Sequence, residues 1–67
     1  MTVKLIDLIK LMKYNATRVQ VFDSEDNLIF YGTRNALLKA LYEQQTLAVR
    51  EVSGFQEIRA MMVIDVK

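Results

Sequence analysis

The sequence predicts an α+β fold in which a four-stranded antiparallel sheet carries two helices on one face. Three patterns support this prediction: an amphipathic repeat near the N-terminus, two β-rich runs around a polar turn, and five consecutive apolar residues at 60–64. The predicted order is helix, hairpin, helix, hairpin. At 67 residues, the chain is expected to form one small domain spanning 1–67.

The first helix is predicted at residues 3–13. Its apolar residues recur at i, i+3, i+4 and i+7, the spacing of one helical face. They are Leu5, Leu8, Ile9 and Met12. Thr2 precedes them as a helix cap.

The first hairpin is predicted at 18–23 and 28–32, because both runs are rich in β-branched or aromatic residues. The polar residues at 24–27 form the turn. A turn of two or four residues places Gln20 opposite Tyr31, whereas a turn of three would exchange the faces of one strand.

When the turn has two or four residues, Asp23 lies opposite Leu28, and the two faces of the hairpin differ in composition. The apolar face, expected to meet the helices, shows Val19, Val21, Leu28 and Phe30. The mixed face shows Arg18, Gln20, Phe22, Ile29 and Tyr31.

The second helix is predicted at 34–44, with Thr33 as its cap and a leucine stripe facing the sheet. A strand at 49–55 and a turn at 56–58 follow. The last strand is predicted at 60–66.

The last strand is too apolar for a strand with one solvated face. If Met62, Ile64 and Val66 meet the helices, Met61 and Val63 point away from them. The helix-free face of the sheet is then predicted to bind a partner through Arg18, Phe22, Ile29, Tyr31, Met61 and Val63. Aromatic and methionine side chains beside a polar rim are typical of protein interfaces.

Composition strengthens the expectation of a partner. Of the residues, 52% are hydrophobic, and the chain has no cysteine. Domains of this size rarely gain more than ~3–5 kcal/mol from one core without a disulfide, a metal or an oligomer. We therefore expect a homodimer or higher oligomer, or docking on a larger protein.

The inventory of reactive residues predicts no enzyme, no cofactor and no metal site. Histidine and cysteine are absent, and two glycines cannot build a phosphate-binding glycine loop. Neither a signal peptide nor a membrane span is expected, which predicts a cytoplasmic protein.

Three local features leave alternatives open. The acidic turn at 23–26 is a solvated hairpin tip, a weak cation site or a docking spot for a basic partner. The segment 32–34 is an ordinary helix start or an anion site. Arg18, Phe22 and Tyr31 share a face as in sheets that stack nucleic-acid bases, although the net charge is only +1.

Residues 19–33, with their acidic turn and final Gly32-Thr33, followed by Leu37-Leu38, resemble a pattern in small uncharacterised proteins of Gram-positive bacteriophages and integrated mobile elements. The resemblance implies a mobile-element origin and a cytoplasmic location. It implies no established activity and supplies no functional residue.

The sequence thus predicts a non-enzymatic protein-interaction module that self-associates or docks on a larger protein through the helix-free face. The alternative is a small nucleic-acid-binding accessory protein that uses the same face.

Overall fold

The computed structural model describes residues 2–67 and confirms an α+β fold. The elements in chain order are α1 (Leu5–Leu11), β1 (Arg18–Phe22), β2 (Leu28–Thr33), α2 (Arg34–Glu43), α3 (Gln45–Ala48), β3 (Val52–Ile58) and β4 (Met61–Val66). The four strands form one sheet in the order β2-β1-β4-β3.

The sheet is mixed, so the prediction of a wholly antiparallel sheet is wrong. β1 pairs antiparallel with β2, and β3 pairs antiparallel with β4, but β1 and β4 run parallel. A parallel pair needs a long connection between its strands. Here β2, α2, α3 and β3 supply that connection and return the chain in the same direction.

The C-terminal half differs from the predicted boundaries. The strand predicted at 49–55 lies at Val52–Ile58, and the short helix α3 precedes it. The turn to β4 consists of Arg59 and Ala60, whose φ angles are 50° and 63°. Two-residue hairpin turns with positive φ usually contain glycine or asparagine, so this pair gave no turn signal.

A bulge interrupts the pairing of β1 with β2. Gln20 pairs with Tyr31 as predicted, but Phe22 pairs with Leu28, which leaves Ile29 as the extra residue. Because paired residues share a face, Leu28 joins Phe22, and Ile29 packs against the core. The predicted facing of Leu28 and of Ile29 is therefore wrong.

One hydrophobic core lies between the three helices and one face of the sheet. Its buried members are Leu5, Leu8, Ile9, Val19, Val21, Leu37, Leu41, Ala48, Ile64 and Val66. Met62, Ile29 and Phe30 pack against this cluster. The helices therefore cover the face that carries Val19 and Ile64.

The segment before α1 runs beside the start of β3. The Leu5 amide donates to the Arg50 carbonyl at 2.9 Å, and the Val52 amide donates to the Val3 carbonyl at 2.8 Å. These bonds cover the beginning of the outer edge of β3. They fix α1 against the sheet.

Arg34 joins the two longer helices, and its removal should destabilise the fold. Its Nε donates to the Ile9 carbonyl at 3.1 Å, and its Nη1 donates to Asn15 Oδ1 at 2.9 Å. We expect Arg34→Met to lower the free energy of unfolding by about 1–3 kcal/mol, because it removes charged hydrogen bonds to both acceptors. Urea unfolding measures this loss.

Arg34→Lys is the matched control, since it keeps the charge but not the guanidinium fork. It should recover only part of the lost stability. An unchanged unfolding midpoint in Arg34→Met would contradict a structural role for these bonds.

Candidate interaction surface

The helix-free face of the sheet, the side opposite the core, is a grid of three rows across the four strands. The first row is Thr33, Arg18, Met61 and Ile58. The second row is Tyr31, Gln20, Val63 and Gln56. The third row is Leu28, Phe22, Asp65 and Gly54.

Most of the predicted partner-binding residues lie on this face. They are Arg18, Phe22, Tyr31, Met61 and Val63. Ile29 does not, because the bulge turns it to the core side, and Leu28 takes its place. Ile58 was missed because its segment was predicted as a turn, although the apolar side chain itself was a strand signal.

The helix-free face is open to solvent. Leu28 and Tyr31 are each 52% exposed, and Ile58 is 44% exposed. Phe22, Met61 and Val63 are half-buried, and their neighbours on this face are the strand residues of the grid. Among residues 2–67, every helix packs on the opposite side, so this apolar surface has no cover within the described chain.

One corner of the helix-free face combines arginine and tyrosine. Arg18 Nη1 donates to the Tyr31 hydroxyl at 2.9 Å. A shallow depression beside this pair is also lined by Tyr14, Arg59 and Met61, and none of its lining residues carries a carboxylate. Tyr14 was missed because it lies outside the sheet, and Arg59 because no turn was expected at that position.

The acidic tip of the first hairpin is closed by its own side chain. Asp23 Oδ1 accepts hydrogen bonds from the amides of Glu25 and Asn27, both at 2.9 Å. The bond from the Asn27 amide is the main reason that the pKa of Asp23 is lowered, and the Glu25 amide adds to it. Within residues 2–67, no acidic cluster is arranged to hold a metal ion.

The lowered pKa of Asp23 predicts a pH dependence of the hairpin tip. A carboxylate with a lowered folded-state pKa stabilises the fold above its unfolded pKa, near 3.8, and loses that contribution as pH falls through the folded value. We expect the Glu25 and Asn27 amide resonances to shift together below pH 3.8 in an NMR titration. Asp23→Asn should remove this titration, and its persistence in that variant would contradict the assignment.

The segment at 32–34 forms an ordinary helix start. Thr33 Oγ1 accepts a hydrogen bond from the Ala36 amide at 3.2 Å, which caps α2. The Arg34 guanidinium is already bonded to Ile9 and Asn15. These bonds favour the structural alternative over an anion site.

A second apolar feature lies at the outer edge of β3, on the core side of the sheet. A groove there is lined by Val3, Leu8, Leu11, Val52, Ser53, Gly54 and Phe55. Leu11 is 79% exposed and Phe55 is 60% exposed. The helical repeat identifies only the inward stripe of α1, so the sequence carries no signal for Leu11 as part of a surface.

Comparison with models of protein families, with curated proteins and with solved structures finds no match to this chain. Among residues 2–67, no helix is both long and apolar enough to span a membrane.

Proposed function

We propose that this chain is a non-enzymatic interaction module that docks on a partner protein through the helix-free face. One observation carries the proposal: connected apolar side chains occupy a sheet face that no described element covers. Met61 links Ile58 to Val63 within this set, and Phe22 adjoins Leu28. Arg18, Gln20 and Gln56 supply the polar groups of an interface.

The size of the face sets the strength expected of this contact. Four strands spaced ~4.8 Å apart, with rows spanning roughly five residues of ~3.3 Å, give a flat area of ~320 Å². A standard interface buries ~800 Å² on each partner. A single helix-free face therefore suits a weak contact, and stable binding requires a larger combined surface.

The proposed setting follows from composition and from the resemblance to phage and mobile-element proteins. The chain has no histidine and no cysteine, which leaves little means of general acid–base or thiol catalysis. We propose a mobile-element protein of the cytoplasm whose role is binding.

Photo-crosslinking tests the docking surface. A photoreactive phenylalanine analogue replaces Tyr31 on the helix-free face, or Tyr42 on α2 as the control. The two side chains are 52% and 58% exposed, so solvent access is matched. In cells that express the chain naturally, position 31 should yield one discrete crosslinked product, and position 42 should yield none.

The mass of the product separates the two kinds of partner. A second copy adds 7.8 kDa to the chain, and a larger protein adds more. Equal crosslinking at both positions, or none at position 31, would contradict docking through the helix-free face.

The arginine–tyrosine depression favours nucleic-acid binding as a second candidate function. Tyr14 is 72% exposed, Tyr31 is 52% exposed, and Arg18 and Arg59 lie beside them. Exposed rings stack on bases, and arginine binds phosphate. Arg59 belongs to the positive-φ turn between β3 and β4, and this turn borders the depression.

Binding of a labelled single-stranded oligonucleotide tests this candidate. Affinity should fall as salt rises, and Arg59→Ala should weaken binding and flatten the salt dependence. Lys39→Ala on α2 removes the same charge elsewhere and should have a smaller effect. No binding at low salt, or equal effects of both variants, would refute nucleic-acid recognition by this corner.

A further inference from the structure

β3 is an edge strand whose outer side is partly free. It pairs with β4 on one side only, and the segment before α1 covers just its beginning, through Val3 and Val52. Among residues 2–67, the later part, 53–58, has no second neighbour. Unpaired strand edges are templates for pairing with another strand.

The direction of the free backbone groups follows from one hydrogen bond. The Lys67 amide donates to the Glu51 carbonyl at 2.9 Å. The backbone N–H of Lys67, which follows β4, is therefore directed towards the β3 side. Antiparallel pairing alternates with every second residue, so Asp65, Val63 and Met61 also face β3. Their partners on β3 are Gly54, Gln56 and Ile58. The N–H and C=O groups of Phe55 and Glu57 are then directed to the outer edge.

Little protects the later part of this edge strand. Residues 53–58 contain no lysine and no proline, which commonly block edge pairing; their one charge is Glu57, and the bulge between Val52 and Gly54 lies at the beginning of β3. Phe55 is 60% exposed and borders the apolar groove that also contains Leu11 and Val3. Added strands gain affinity from backbone hydrogen bonds and specificity from such side-chain pockets.

We propose that two copies of this chain pair antiparallel through β3 and form one continuous eight-stranded sheet. A two-fold axis through Gln56 places Phe55 of each copy opposite Glu57 of the other, so both outward residues of each chain are bonded. The two Phe55 rings become diagonal neighbours at ~7–8 Å, within reach of each other. The two glutamates are likewise diagonal neighbours rather than directly opposed, and each lies opposite a Phe55 ring.

This pairing supplies the surface that one chain lacks. The axis lies perpendicular to the sheet, so both sets of helices stay on one side and both helix-free faces lie on the other. Together the two faces span ~640 Å², most of the ~800 Å² of a standard interface side. The edge pairing stands on β3 alone and does not depend on docking through the helix-free face.

The test is the solution mass of backbone-matched variants by sedimentation velocity across a concentration series. The wild type and Glu57→Ala should form a species of twice 7.8 kDa, because both retain the outward N–H. Glu57→Pro should be a monomer, since proline removes that donor and is tolerated where the N–H faces outward on an edge strand. Circular dichroism reports whether each variant is folded.

Two further variants make every outcome decisive. Phe55→Glu changes only a side chain at the edge and should also give a monomer, even where Glu57→Pro unfolds. Val63→Asp on the helix-free face should leave the dimer intact. A wild-type monomer at all concentrations, or a dimer kept in folded Phe55→Glu, would overturn the edge pairing.

Discussion

Ile64→Ala should remove most of the stability of the chain at 25 °C. Ile64 is 0% exposed and lies in the middle of the sheet, paired with Val21 on β1 and Phe55 on β3. Truncating a buried isoleucine costs about 2–5 kcal/mol, since the methyl groups lose their burial and leave a cavity. A domain of this size holds only ~3–5 kcal/mol of stability, so this loss is most of the total.

The adjacent residue provides the control. Val63 points to the opposite face and is half-buried, so Val63→Ala should cost less than about 1 kcal/mol. Urea unfolding followed by circular dichroism measures both variants. Similar losses at positions 63 and 64 would mean that the facing of β4 is wrong.

Val63→Asp should abolish partner binding while leaving the chain folded. Val63 occupies an inner position of the helix-free face, between Gln20 and Gln56, neither of which can neutralise a carboxylate. In the free chain the new charge is solvated, so the substitution lowers the free energy of unfolding by only about 1 kcal/mol. In a complex the charge is buried beside these two amides, and the nearest cation of the grid, Arg18, donates to the Tyr31 hydroxyl, so the buried charge opposes binding.

We expect the affinity for the partner to fall by roughly 10–100-fold in this variant, which corresponds to ~1.4–2.7 kcal/mol of binding free energy. The yield of the crosslink from position 31 should fall with it. Lys39→Asp on α2 places a carboxylate away from the helix-free face and should leave the yield unchanged. Unfolding of the variant would place Val63 in the core, and retained crosslinking would remove this residue from the interface.

The elements that could be predicted from the sequence are those with a local signal. Leu5, Leu8 and Ile9 repeat with the helical period, and all are buried. The alternation of Val19 and Val21 likewise identified the core side of β1. Such patterns depend on neighbouring residues only, so they survive any arrangement of the rest of the chain.

Two features could not be predicted because they depend on distant residues or unusual turns. No local pattern indicates that β4, rather than β3, lies beside β1. The sheet is mixed because β4 takes this place and runs parallel to β1. The bulge at Ile29 accompanies a tip that Asp23 closes by accepting bonds from the turn amides. That bulge exchanged Leu28 for Ile29 on the candidate surface.

The sequence consequently predicts the central residues of the candidate surface but not those at its edge. Arg18, Tyr31 and Met61 follow from strands whose pairing or facing had clear signals. Ile58 and Arg59 could be assigned only with the correct position of the last turn. That position had no sequence signal, because arginine and alanine are uncommon in a turn with positive φ.

Thiol labelling tests most directly the central claim that the helix-free face is open in the free chain and covered in the native complex. The chain has no cysteine, so a single introduced thiol reports on one position. Leu28→Cys probes the helix-free face and Tyr42→Cys probes α2, at sites with 52% and 58% exposure. Leu28 lies on β2, at the edge farthest from β3, so β3 pairing does not shield it. We predict rapid labelling of both thiols in the purified chain, and slow labelling of position 28 alone in the cells where the chain naturally works. Equal labelling of the two thiols in those cells would contradict the account.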